Sequence, residues 1–287
     1  MKILKKLLIS IFSIVVVAAI IVVSGYFIIK KNYGIDVLNT YKQLSILSKE
    51  VDESTLITNG YDDSDLLSME ETLKNKTNGF IYRDENGNLK FNFNNPSAFN
   101  DDISLTDKQV AAYAQKAIEQ EMNSKITVGN YELGLELKQI DFSNIKDGNC
   151  LFNVIIKLDL TALDATLNKF PYSLVKKYIP KYLYISSNVN VNKGGKPFEY
   201  ETTSEYLTIN DLEKEDSKEL VTTLNTILKT GAYDDLNLKI SNEILYNLIG
   251  DENHNGLAYS LKNVGAKDYT FSTVSDIDYF VVKIGVL

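Results

Sequence analysis

The rhythm of apolar and polar positions changes along this chain, and each change predicts a different kind of element. From Leu7 to Ile29 there is no rhythm: no residue is charged, and only Ser10, Ser13, Ser24, Gly25 and Tyr26 interrupt the apolar run. A helix rising about 1.5 Å per residue crosses the roughly 30 Å hydrocarbon core over such a length. The stretch therefore predicts one transmembrane helix. Lys2, Lys5 and Lys6 on the short side, against Lys30 and Lys31 on the other, lean towards a cytoplasmic N-terminus. Residues 1–6 read as a cytoplasmic tail, 7–29 as the span, 30–78 as a stalk or helical segment, and 79–287 as an extracytoplasmic domain at the plasma membrane. The rival is a cleaved signal peptide ending near Val23-Ser24-Gly25, but the run exceeds the roughly 7–15 apolar residues usual there. No cysteine follows the run, so the pattern excludes a lipoprotein anchor.

Beyond the span the apolar period becomes helical. Ile35, Leu38, Tyr41, Leu44, Leu47 and Val51 recur every three or four residues and predict an amphipathic helix, either a stalk or a docking helix. A second helix is predicted with Ser64 as cap and Gly79 as stop, then a hairpin turning at Asn86-Gly87. Thr106 and Gln109 form a capping box, with Leu105 placed to staple onto Val110. Val110, Ala114, Ala117, Ile118 and Met122 then share a slender apolar helix face.

After residue 130 the period switches to two. Tyr131, Leu133, Leu135 and Leu137, and later Phe152, Val154, Ile156, Leu158 and Leu160, alternate with largely polar neighbours, predicting strands with one apolar face. A short helix boxed by Pro171 and Pro180, with Leu174, Val175 and Tyr178 inward, precedes strands at 182–191 and 198–209. A helix carrying Leu220 to Leu228 and closed by Gly231, another capped by Ser241, and terminal strands at 257–261, 269–274 and 279–286 complete the reading. A weak echo, strand then capped helix then strand, pairs Ile103–Leu135 with Leu207–Leu238, so two similar halves at about 79–195 and 196–287 are an alternative to a single domain. The fold class is α+β: a single N-terminal membrane helix, then curved antiparallel sheet packed on a few amphipathic helices.

Charge narrows the partners. The chain carries −8 overall, and setting aside the five lysines flanking the span leaves the external part near −13. That surface repels phosphate backbones, which disfavours nucleic acid and broad docking on anionic lipid except at the span. Cys150 is the single cysteine, so no internal disulfide forms, and with no basic neighbour in sequence it reads as a core filler.

Three patterns invite a chemical reading and each weakens on inspection. Asp251-Glu252-Asn253-His254-Asn255-Gly256 opens like a calcium loop, but its twelfth position is Lys262 where a carboxylate is needed. Ser173-Leu174-Val175-Lys176 with Lys229-Thr230-Gly231 has the outline of a serine acyl-enzyme, at the wrong spacing and on the wrong elements. His254 has no second histidine or nearby cysteine for zinc. The reading is therefore of a protein without cofactor, metal or catalytic residues.

The tether, the helix opening Ile103-Ser104-Leu105-Thr106-Asp107-Lys108-Gln109 and the long alternating strands together resemble the YpmS-type membrane-anchored proteins of Gram-positive bacteria, which themselves resemble the tubular lipid-binding (TULIP) fold. The resemblance implies a curved sheet wrapped round a helix and an envelope location. The expected ligand is lipid-like, held among Ala114, Ala117 and Ile118 on the helix and Leu133, Leu135, Leu137, Phe152, Val154 and Ile156 on the strands. The alternatives are an envelope scaffold with a protein partner and, further off, an enzyme acting on cell-wall material.

Overall fold

The computed structural model describes residues 2–24, 37–85, 89–92, 101–128, 130–170, 172–228, 232–254, 256–262 and 265–285. The apolar stretch forms helix α1 (Lys2–Ser24); the rest of the predicted span, 25–29, lies outside the described residues. Among the described residues no helix is long and apolar enough to cross a membrane. Leu4, Leu7, Leu8, Ile11, Phe12, Ile14, Val15, Ala18 and Ala19 are instead buried in the core of the protein.

Helix α2 (Val37–Leu47) docks by Leu44 and Leu47, which are fully buried, while Leu38 and Tyr41 stay exposed. Of the two readings offered for this segment the docked one is seen. Helix α3 (Asp63–Lys76) starts two residues earlier than the sequence implies: its cap is Asp62, which accepts from Ser64 N, and Asp65 closes the capping box. Strands β1 (Ile81–Arg83) and β2 (Leu89–Phe91) form the expected hairpin, its Asn86-Gly87 turn lying outside the described residues. Strand β3 (Ile103–Thr106) leads into α4 (Asp107–Met122), where the Thr106 and Gln109 box forms as predicted.

Strands β4 (Lys125–Val128), β5 (Tyr131–Lys146), β6 (Asn149–Asp159), β7 (Tyr182–Lys193) and β8 (Tyr200–Ile209) form one antiparallel sheet in sequence order. Register shifts between Leu137 and Gln139, Ser143 and Lys146, and Asn188 and Val189 bend strands too long to stay straight. The pairings Leu135 with Leu158, Leu137 with Ile156, Ile156 with Ile185 and Ile185 with Ile209 lay one apolar row across four strands. That row is what alternation predicted, and it is the sheet's buried face.

Helices α5 (Lys214–Leu228) and α6 (Tyr233–Leu248) follow, and both pack on β8, α6 reaching β7 as well. Strands β9 (Ala266–Val274) and β10 (Ile277–Ile284) form a second sheet with β3, ordered β3-β10-β9. Phe271 reaches across to Phe142 of β5 with ring centroids 5.0 Å apart.

Four expectations are corrected. Tyr233–Leu238 is helix and not strand, so the internal echo fails, and the β7–β8 hairpin runs through position 195 as part of one sheet. Ser241 is an interior residue of α6 and not a cap, because Leu236, Ile240 and Ile244 keep one helical face running past it. The proline-boxed segment is two 3-10 turns, Tyr172–Leu174 and Lys176–Tyr178, and Leu174 faces outward. Residues 257–260 form a helical turn and not a strand. Glycine is required just before it: Gly250 has φ +78°, and a Cβ there would stand 2.3 Å from Gly256 N.

Candidate functional site

The feature that sets this fold apart is the seat of α1. The helix touches β4 at one edge of the large sheet, and it touches α5 and α6, which pack on β8 at the other edge. It also touches α2. An element in contact with both flanks lies across the buried side of the sheet and closes it. The neighbouring elements bring Leu44, Leu47, Ile126, Leu220, Val221, Ile240 and Ile244 into the same core. On the outer side Lys6, Ser10, Ser13, Val17 and Ile20 follow at helical spacing, less buried than the inner face.

The seat recognises α1 by apolarity. The hydroxyls of Ser10 and Ser13 donate to Lys6 O and Ile9 O, within the helix itself. Helix α6 is held in the opposite manner. Asn237 Nδ2 donates to Asn188 O at 2.7 Å and to Ser204 Oγ at 2.9 Å, and its Oδ1 accepts from Ser187 Oγ at 2.6 Å. Ser241 Oγ lies 2.7 Å from the same Ser187 hydroxyl. The Tyr233 hydroxyl accepts from Leu207 N and donates to Leu207 O, both at 2.6 Å. Such buried bonds fix position and rotation, because a slip leaves several polar groups unpaired. Helix α6 is thus bolted to the sheet, whereas the buried face described for α1 is apolar throughout.

The residues expected to line a ligand are placed as follows. Leu133, Leu135, Leu137, Phe152, Val154 and Ile156 are buried on one face of the sheet, and Ile118 is buried on α4. Ala114 and Ala117 are only half-buried; the small residues that α4 turns fully inward are Ala111 and Ala112. Helix α4 sits beside β5 beyond the end of β4, where Gln115 Oε1 accepts from Leu137 N at 2.8 Å. The gap imagined under Ala114 and Ala117 is therefore the flank of a sheet edge, capped by a side chain. Sequence reasoning missed the α1 seat because nothing local in a uniformly apolar run tells a bilayer from a protein groove.

A polar cluster caps the same edge of β5. Asn59 Nδ2 bridges Asp107 Oδ2 at 2.5 Å and Asp141 Oδ1 at 2.7 Å, and Asn59 N donates to Gln139 Oε1. Burial, reinforced by the Asp141 charge, pushes the Asp107 carboxyl up to about 6. The native state then holds a proton that the unfolded chain has released, so this group's contribution to stability is present below about pH 4 and is lost as pH rises through about 6. Replacing Asp107 by Asn should raise stability at pH 7.5 by about 1 kcal/mol, discounting for the solvent that still reaches the site. The same change should flatten the pH dependence between about 4 and 6; urea unfolding across that range checks both, and a less stable variant at pH 7.5 would refute the assignment.

Nearby, Glu53 accepts from Lys157 Nζ at 2.5 Å and from the Tyr184 hydroxyl, and Lys138 stands 3.6 Å away. The bond from Lys157, helped by that from Tyr184, holds this carboxyl down to about 2. It is a fixed anion in an ion-pair cluster and a poor proton donor. Burial pushes the Cys150 thiol up. Asp251 Oδ1 is spent on its own turn, accepting from Asn253 N and His254 N and meeting His254 Nδ1. Among the described residues no group of acidic, histidine or cysteine side chains could hold a metal. Ser173 lies in a 3-10 turn, and Lys229-Thr230-Gly231 falls outside the described residues.

No protein-family model matches this chain, and no curated protein matches it. A crystal structure of a lipopolysaccharide binding protein aligns with 68% of this chain at 14% identity and a TM-score of 0.25. The chain spans 42% of that protein's length. At that score the likeness transfers neither fold nor ligand.

Proposed function

We propose that this chain is a non-enzymatic, membrane-anchored protein of the cell envelope that holds a lipid-like apolar chain under its curved sheet, in the seat that α1 fills here. The carrying observation is the contrast between the two helices on that face: α6 is fastened by buried polar bonds, whereas the inner face of α1 is apolar and its Ser10 and Ser13 hydroxyls bond within the helix. A groove that asks only for apolar surface accepts an acyl chain as readily as a helix.

Energetics make the exchange feasible. Burying Leu4, Leu7, Leu8, Ile11, Phe12, Ile14 and Val15 is worth on the order of 10–20 kcal/mol against water. A bilayer gives the same side chains comparable relief, so α1 has two good environments and a small difference chooses between them. When α1 is in the membrane its seat must collapse or fill. The bolted α6 and the paired strands of the sheet resist collapse, and an acyl chain gains about 0.8 kcal/mol for each CH₂ it buries. The resemblance to tubular lipid-binding proteins noted from the sequence points the same way. Native mass spectrometry of the full chain and of a form lacking Lys2–Ser24 tests the reading: lipid adducts should appear where α1 is gone.

A further inference from the structure

The second apolar feature of the molecule is on its surface. Phe170 is 82% exposed and Leu174 51% exposed, both in the segment around the two 3-10 turns. Helix α2 packs on the second of these turns and adds Leu38, 62% exposed, and Tyr41, whose ring meets Tyr178 edge-on at 5.9 Å. Four of the large exposed apolar side chains among the described residues thus belong to two touching elements. Monomeric surfaces rarely spend apolar area in this way without a partner.

The charge beside this patch is opposite to that of the chain. A cleft of about 580 Å³ opens next to it, lined by Lys49, Lys176, Lys177 and Lys181, with Leu160, Leu167, Ile179 and Pro180 as its apolar wall. Glu50 and Asp164 are the acidic residues on its lining, and Asp164 lies 3.5 Å from Lys176 Nζ. A chain of net charge −8 therefore gathers four lysines around one cleft beside exposed phenylalanine and leucine. The combination is that of an interfacial anchor, with rings and aliphatic chains entering the acyl boundary while ammonium groups meet phosphates.

We propose that the segment bearing Phe170, Leu174, Lys176, Lys177 and Lys181, together with Lys49, docks on the surface of an anionic phospholipid bilayer. Net charge forbids broad attraction to such a surface, and this patch supplies a local one. Charge complementarity selects the occupant: a neutral apolar partner gives no reason for the lysines, and a soluble anion gives none for Phe170. The proposal rests on the reading of the protein as one that works at a membrane, and it does not require a lipid in the α1 seat.

The chain contains no tryptophan, so Phe170→Trp makes a unique fluorescent reporter in the full-length protein. With vesicles of phosphatidylcholine and phosphatidylglycerol its emission should shift to the blue, and brominated lipid should quench it. Pure phosphatidylcholine vesicles should give neither response. Replacing Lys176 and Lys177 by Gln in this background should raise the lipid concentration for half-response about thirtyfold, the ratio expected for two lysines at an anionic surface. Val274→Trp, on an exposed hairpin outside the patch, is the control and should stay unshifted. Emission that never shifts, shifts equally with neutral vesicles, or shifts without vesicles through self-association would overturn the proposal. A lipid-free core in mass spectrometry, with this shift intact, would remove the ligand reading and leave the docking surface standing.

Discussion

Truncating Asn237 to Ala should lower the unfolding free energy by about 3–5 kcal/mol, among the largest effects of any single change in this chain. Its amide joins three strand groups at once: Asn188 O, Ser204 Oγ and Ser187 Oγ, all within 2.9 Å. Removing it takes one bond from the buried Asn188 carbonyl and weakens the hold on the buried Ser187 hydroxyl, and each such loss costs about 1–3 kcal/mol. With a urea slope of about 2 kcal/mol/M the midpoint should fall by roughly 2 M while the slope holds. Ser13→Ala, on the outer stripe of α1, should move the midpoint little. If the two substitutions cost the same, the distinction between a bolted and a merely packed helix is wrong.

A lysine in place of Ile11 is expected to release α1 without unfolding the rest. Ile11 is fully buried, and an ammonium there must be paired or hydrated, at a cost of several kcal/mol otherwise. The face it enters is apolar, so the helix leaves its seat. Limited proteolysis should then cut within residues 2–24 early and spare the folded remainder, and the emptied groove should bind an apolar dye several-fold more strongly than the parent does. Were α1 an integral core element, the same change would collapse the whole transition, and protease would digest the sheet together with the helix.

Much of the architecture was legible in local pattern. The alternation from Tyr131 to Leu137 and from Phe152 to Leu160 gave the sheet and its buried face, and the Thr106 and Gln109 pair gave a helix start to the residue. What escaped were features decided by partners far along the chain. Ser241 reads as a cap, and nothing local marks Asn237, because their partners, Asn188 and Ser187, lie 49 to 54 positions away. Strong local preference for a serine cap split α6 on paper; burial of its apolar face against β7 and β8 rejoined it. Helical spacing places Leu174 inward, and the tighter 3-10 turn rotates it out. The candidate site was half legible: the apolar sheet face was foreseen, but Ala114 and Ala117 proved to flank an edge strand, and the groove's present occupant was assigned to the bilayer alone.

The Asn59, Asp107 and Asp141 cluster bears on the enzyme alternative. Two carboxylates share one amide, and below about pH 6 the proton that burial favours on Asp107 relieves their repulsion. The arrangement caps the edge of β5 next to Gln139 and Tyr61, whose hydroxyl donates to Leu137 O. Its geometry serves the sheet edge, which is why the reading rests on the groove and not on these acids.

The space under the sheet either belongs to α1 or only lodges it. Native mass spectrometry of the chain lacking Lys2–Ser24, expressed in cells and released gently from solution, measures this directly. A folded protein carrying an added mass of one or two acyl lipids is the predicted result. A folded protein with no adduct, or a chain that cannot fold without its first helix, would show that the groove is simply the protein's own core.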